Sequence, residues 1–196
     1  MMYENFYADR RLDRRAELRR DSAWVESLLV APATRIVPVW RSLSLVRGGE
    51  EPAAVALTLE EAETLIAEAR DAGRAFALLG LIDEVAHFLL DLSHLDEGPA
   101  QERLAGHGEF VDMRKVGPLL PRHEGNLLAY ARGLAHWHAR HGFCGVCGHS
   151  TEIGDAGHVR RCTNAACGTA HFPRTDPAVI MLVHDGDRCL LGHQAR

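Results

Sequence analysis

Four of the five cysteines fall into two close pairs, Cys144 with Cys147 and Cys162 with Cys167, a C-x2-C and a C-x4-C separated by fourteen residues. Each spacing lets one short turn aim two thiolates at the same point, and two such turns facing each other supply the four sulfurs that Zn2+ takes tetrahedrally at ~2.3 Å. Gly145, Gly148 and Gly168 suit the tight turns that bring backbone N–H groups toward sulfur. The pattern is that of a zinc ribbon, although the second pair is two residues wider than the commonest spacing. With Cys144, Cys147, Cys162 and Cys167 all ligating, no position stays open for water or substrate, so the expected role of the zinc is structural.

The competing reading of paired cysteines is disulfides, which require an oxidising compartment. The amino terminus, MMYENFYADRRLDRR, is charged and aromatic and lacks the apolar run of a secretory signal, so zinc is the preferred reading. Cys189, in the apolar stretch Arg188-Cys189-Leu190-Leu191, reads as a small core residue. His138, His141, His149 and His158 lie close to the cysteines, but the shell is already full. The two at the end of the preceding helix read as cap or surface residues.

The 196 residues are 46% hydrophobic and 25% charged, an ordinary globular composition. A net charge of −5 argues against undirected electrostatic binding of nucleic acid. A specific basic pocket is still open to it: of 22 basic residues only Lys115 is lysine, leaving 21 arginines, the side chain suited to bidentate contact with phosphate. No apolar run approaches the ~20 residues of a membrane helix, and a cytoplasmic location with no membrane partner is expected.

The elements that must position the cysteines follow from periodicity. Residues 11–30 read as short helical pieces ending before Pro32, and Arg35–Trp40 as a strand that Pro38 makes an edge or an interrupted one. Leu43–Val46 and Ala53–Leu57 bracket a Gly48–Pro52 turn, a hairpin pattern. Thr58 with Glu61 has capping-box spacing, and the helix it starts is closed by Gly73. Two apolar strands, 75–82 and 85–92, flank Asp83-Glu84, and a long amphipathic helix is predicted over 125–140. Beyond the cysteines, Ala178–Val183 reads as a buried strand, Asp185-Gly186 as a hairpin turn, and Cys189–Gly192 as the returning strand. The fold class is therefore α+β: a small amino-terminal α+β domain (1–118), a linker helix (119–142), a zinc ribbon (143–171) and the first hairpin of a further domain (172–196). A lone hairpin with one strand apolar on both faces needs more sheet than this, so the chain is expected to be part of a longer protein.

Trp137-His138, Phe143–Gly148, the second cysteine pair, Phe172-Pro173-Arg174-Thr175-Asp176-Pro177 and Leu190-Leu191 together resemble the NADH pyrophosphatase branch of the Nudix hydrolases. The likeness runs from about Phe110 to Arg196, and the stretches RIVPVWR and LTLEEAETL extend it more diffusely toward the amino terminus. It implies an α+β domain, a zinc ribbon and a Nudix α/β/α domain in a homodimer. It also implies hydrolysis of NADH or NAD to nicotinamide mononucleotide and AMP and, in bacterial relatives, removal of NAD caps from RNA. The glutamate-rich Nudix box that holds Mg2+ or Mn2+ and prepares the attacking water is not found in these residues, so no catalytic residue is assigned and the fragment alone is expected to be inactive.

By the same resemblance Phe172 matches an aromatic that stacks on the dinucleotide, and Arg114 an arginine that contacts substrate. Packing of Phe172 on the ribbon and a surface ion pair for Arg114 stand beside those readings. Gly157 stands where some relatives carry a substrate-binding acidic residue. The alternative for the whole chain is a stand-alone zinc-ribbon module that binds RNA or a protein partner.

Overall fold

The computed structural model describes residues 5–174 and 179–192. A mixed sheet runs in the order β3-β2-β1-β5-β4, with β6 paired to β2. Its strands are β1 (Arg35–Trp40), β2 (Leu43–Arg47), β3 (Ala53–Ala54), β4 (Phe76–Ile82), β5 (Val85–Asp91) and β6 (Glu109–Val111). Both faces are covered, which explains why β1, β4 and β5 are nearly continuous apolar runs rather than alternating ones. On one face Val37, Val39, Leu79 and Leu89 pack against Leu127, Leu128, Ala131 and Leu134 of the long helix α5 (Arg122–Arg140). On the other, Ile36, Leu78, Phe88 and Leu90 meet Ala62, Leu65 and Ala69 of α2 (Leu59–Asp71) and Ala100 and Leu104 of α3 (Glu97–Leu104). Two short helices, α1 (Ser22–Leu29) and α4 (Met113–Val116), complete the layers.

The α2 helix forms as its ends dictate. Thr58 Oγ1 accepts from the Glu61 N–H while the Glu61 carboxylate accepts from the Thr58 N–H, satisfying two donors that the helix leaves unpaired. At the other end Gly73 takes φ +65°, and the bonds Arg74 N–H to Ala69 C=O and Gly73 N–H to Arg70 C=O close a Schellman motif.

Three expectations need correction. β1 is not an edge strand: it pairs antiparallel with β2 and parallel with β5, so Pro38 sits mid-sheet. Backbone groups alternate sides along a strand, and Ile36 exchanges both its bonds with Leu57, so the nitrogen of Pro38 faces that same side. There β2 pairs only Val39 and Trp40, and the segment through Leu57 takes over at Ile36. Pro38 occupies the handover, where no ladder bond is lost.

The second correction concerns Ala178–Val183. Ala178 lies outside the described residues, and 179–183 is not a strand; Val179, Ile180, Met181, Leu182 and Val183 are all exposed. A doubly apolar strand requires neighbours on both sides, and among the described residues the pairing here is the two-residue hairpin of β10 (His184–Asp185) with β11 (Arg188–Cys189) about Gly186, continued by one bond from Leu190 N–H to Val183 C=O. The returning strand is thus shorter than Cys189–Gly192. Thr175-Asp176-Pro177 and His193–Arg196 lie outside the described residues. Third, Cys189 is exposed on β11 rather than packed in a core, because no core forms around that hairpin.

Candidate metal centre and the cavity beside it

The ribbon is a three-stranded antiparallel sheet, β7 (Thr151–Gly154), β8 (Val159–Cys162) and β9 (Ala170–His171). The first knuckle closes with Gly148 N–H on Cys144 C=O and Cys144 N–H on His149 C=O, and Gly148 takes φ +76°. Val146 N–H donates to Cys144 Sγ at 3.4 Å. In the wider second knuckle Asn164 absorbs the extra residues: its carbonyl accepts from Cys167 and Gly168, and its side chain from Ala166 N–H. Gly168 sits at φ +56°. Of the three glycines singled out by sequence, Gly148 and Gly168 use left-handed backbone and Gly145 does not.

These turns bring the four Sγ atoms of Cys144, Cys147, Cys162 and Cys167 within 4.8 Å of one another. The Cys144–Cys167 and Cys147–Cys162 separations are 3.8 and 3.3 Å, far beyond the ~2.05 Å of a disulfide. Sulfurs on a tetrahedron around zinc at ~2.3 Å stand about 3.8 Å apart, so the set fits that ion. The Thr169 hydroxyl, 3.1 Å from Cys167 Sγ, pulls that thiol down to about 6, whereas burial pushes Cys162 up to about 12. A divalent cation at the centre favours the thiolate form of all four. His171, which sequence reasoning passed over, places Nε2 3.3 Å from Cys144 Sγ, a further polar contact on the most buried of the four cysteines. Its signal was only proximity, four positions after Cys167.

The ribbon is seated on the main domain by polar contacts. His138 is not the cap or surface residue expected: it is 4% exposed, donates from Nε2 to Gly157 C=O at 2.8 Å and accepts at Nδ1 from Arg160. Burial lowers its pKa to about 4, which agrees with a ring that must stay neutral to accept from a guanidinium. Arg160, itself 8% exposed, also donates to the hydroxyl and carbonyl of Thr151. His158 is likewise buried, shares a hydrogen bond of 2.7 Å between Nε2 and the Tyr130 hydroxyl, and is lowered to about 4. His141 does cap α5, its Nδ1 bonded to Trp137 C=O, and His149 is exposed. None of the four joins the cysteine cluster.

Beside the ribbon lies a cavity of about 490 Å³ walled by Arg14, Arg19, Arg20, Tyr130, His158 and Phe172. Its floor is ribbon and α5, and its other wall is the amino-terminal arm, held in place where Asp13 exchanges two backbone bonds with Leu81 of β4. Gly80 allows that approach, since a Cβ there would lie 2.4 Å from the Asp13 carbonyl oxygen.

Comparison with known proteins decides the lineage. Residues 33–137, more than half of the chain, match the family described as NADH pyrophosphatase-like rudimentary NUDIX domain, and residues 139–172 match the NADH pyrophosphatase zinc ribbon domain. The chain belongs to the NADH pyrophosphatase-like Nudix family. It is 27% identical over 98% of its length to the human NAD-capped RNA hydrolase NUDT12, covering 49% of that protein. It is 41% identical to the NAD-capped RNA hydrolase NudC of Mycobacterium tuberculosis over 44% of this chain and 28% of that one. A third match, 46% over 34% of the chain and 16% of the relative, is to the chloroplastic Nudix hydrolase 19 of Arabidopsis thaliana. The chain spans about half the length, or less, of the curated relatives it matches.

Among the positions that the NADH pyrophosphatase likeness singled out, Phe172 is 56% exposed at the rim of the cavity. Arg114 is exposed on α4, where its N–H is bonded to the Asp112 carboxylate, and it does not line the cavity with Phe172. Gly157 is buried with φ +96°, and a Cβ added there would fall 2.1 Å from the Cβ of Ala77. An acidic side chain has no room at that position. No described helix is long and apolar enough to cross a membrane.

Proposed function

We propose that this chain is the amino-terminal and zinc-binding part of an NAD(H) diphosphatase whose longer form hydrolyses the dinucleotide diphosphate to nicotinamide mononucleotide and AMP. The observation that carries the reading is the compact set of four sulfurs in a ribbon seated on a domain of the NADH pyrophosphatase-like family. In this reading Cys144, Cys147, Cys162 and Cys167 hold a structural zinc whose binding energy is folding energy for the ribbon. Phe172, an exposed ring just after β9, stacks on the dinucleotide. Arg114 contacts a substrate phosphate, and the full-length enzyme works as a homodimer. The glutamates that hold Mg2+ or Mn2+ belong to the remaining part of the enzyme, and the ion supplies the activated water.

NAD-capped RNA is a second substrate in this proposal, the activity for which the NUDT12 and NudC relatives are named, and the enzyme works in the cytoplasm. The exposed apolar run Val179–Val183 is then a surface that the rest of the enzyme covers. The test is AMP release from NADH with Mg2+, comparing the 196-residue chain with a version extended to the length of its relatives. The extended enzyme should turn over and the shorter chain should not. Metal-dependent AMP release by the shorter chain, or none by the longer, overturns the proposal.

A further inference from the structure

We infer that the cavity between the amino-terminal arm and the ribbon is a nucleotide-phosphate site, in which Arg14 and Arg19 take the phosphate and Phe172 takes the base. The inference rests on the preceding reading only for the role of Phe172; the arm enters it on geometry alone.

The cavity, at about 490 Å³, lies within the ~300–1,000 Å³ usual for small-ligand sites. Its charge is unbalanced. Arg20 is paired with Asp155, which also takes Arg161, but among the described residues no carboxylate lies within ion-pair distance of Arg14 or Arg19. Glu17 is the other acid on the wall, and it forms no ion pair with them. Arg19 is half-buried and Arg14 exposed at the mouth. A half-buried guanidinium without a carboxylate is a costly arrangement, and an anion that enters the cavity reduces that cost. Burial draws the Arg19 pKa below its ordinary value, and Tyr130 and Glu17 offset this only in part.

Donors are available in the cavity. The Arg14 guanidinium carbon lies over the Tyr130 ring, 4.5 Å from its centroid. A guanidinium held against an aromatic ring keeps N–H groups that can grip phosphate bidentately. Arg19 donates from Nε and one Nη to the backbone carbonyl of Arg14, which ties the Arg19 side chain to the arm and leaves further N–H groups for a ligand. Tyr130 is in turn held by His158, so the cation platform is anchored to the ribbon. At the rim the Phe172 ring, followed by Pro173, offers an apolar plane to a base. A phosphate joined to a planar heterocycle satisfies both halves, and neither inorganic phosphate nor a bare nucleoside does.

The test is calorimetric titration of the zinc-loaded 196-residue chain with AMP, adenosine and inorganic phosphate. AMP should bind at least tenfold more tightly than either of the others. Arg14→Gln should weaken AMP at least tenfold and leave adenosine unchanged, whereas Phe172→Ala should weaken AMP and adenosine alike. Amide shifts in the unaltered chain supply a readout that no folding defect can confuse, and those caused by AMP should centre on residues 14–20 and 155–159. Equal affinity for AMP and adenosine, shifts centred elsewhere, or an Arg14→Gln chain that binds AMP normally overturns the inference. Loss with Phe172→Ala alone does so while leaving the family reading of Phe172 intact. Competition by a 5′-monophosphorylated RNA dinucleotide separates the sources: tighter binding than AMP marks the site as holding the first nucleotide of an RNA, and weaker binding marks it for the free nucleotide.

Discussion

The sheet domain and the ribbon are held together by different physics. In the sheet domain two apolar layers close over both faces, and residues such as Leu89, Leu90 and Leu128 are fully buried. The ribbon has almost no apolar interior: of its large hydrophobic side chains, Phe143, Val146 and Ile153 face solvent, and its buried positions are Cys144, Thr151, Gly157, His158, Val159, Arg160 and Cys162. What replaces a core there is a sulfur cluster and a set of neutral-histidine and arginine contacts to α5. The lesson is that one chain can be dismantled in two independent ways, and each of the following experiments attacks one side of the contrast.

The largest effect should come from the metal. Stripping zinc with a chelator removes a binding energy of about 10–16 kcal/mol for structural sites of this type, so hydrogen exchange should show residues 144–171 losing protection while β1, β4 and β5 keep theirs. Uniform retention of protection would show that the ribbon stands without its ion. The reciprocal attack is Leu128→Ala, which opens a cavity where α5 meets the sheet and should cost about 2–5 kcal/mol in urea unfolding of the sheet domain. Zinc affinity of that variant should not change; a parallel fall would mean that the two regions share one cooperative unit.

The remaining effect lies at their seam. His138 and His158 titrate near 4 when folded against an ordinary 6.5, so the unfolded chain takes up protons first as the pH falls. Stability is therefore full above about 6.5 and is lost progressively toward 4, by on the order of 2–3 kcal/mol for each ring at most. Thermal unfolding followed across that window should show the loss, and His138→Gln combined with His158→Gln should flatten it. A profile that stays equally steep in the double variant would assign acid sensitivity to zinc release instead.

The sequence made the ribbon and α2 readable because their determinants are local. Cysteine spacing, a Thr58–Glu61 capping box and a glycine at a helix end each act within a few residues. The long helix α5 was legible for the same reason, its apolar stripe repeating at helical spacing. The failures are non-local. Pro38 looked like an edge marker because the handover between β2 and Leu57 depends on a chain reversal further on. β6 and α3 escaped notice, the first being three residues long and the second carrying Gly98 and Pro99 in its first turn, where a missing N–H does no harm. His138 was misjudged because its burial is supplied by Gly157 and Arg160 of the ribbon, not by its own helix. The cavity could not be read at all: its arginines belong to the arm, its tyrosine to α5 and its phenylalanine to the segment just after β9, and only the fold assembles them.

The contact of Gly157 with Ala77 makes the two positions share a single volume. Side-chain mass added at either one has nowhere to go except into a shift of the whole ribbon relative to β4. Because β8 pairs with β9, with Arg160 opposite His171, such a shift is carried across the ribbon to Phe172, the next residue along. The hydrogen atom in place of a side chain at residue 157 thus acts as a spacer of fixed thickness, setting the distance between an aromatic ring and the arginines opposite it without touching either.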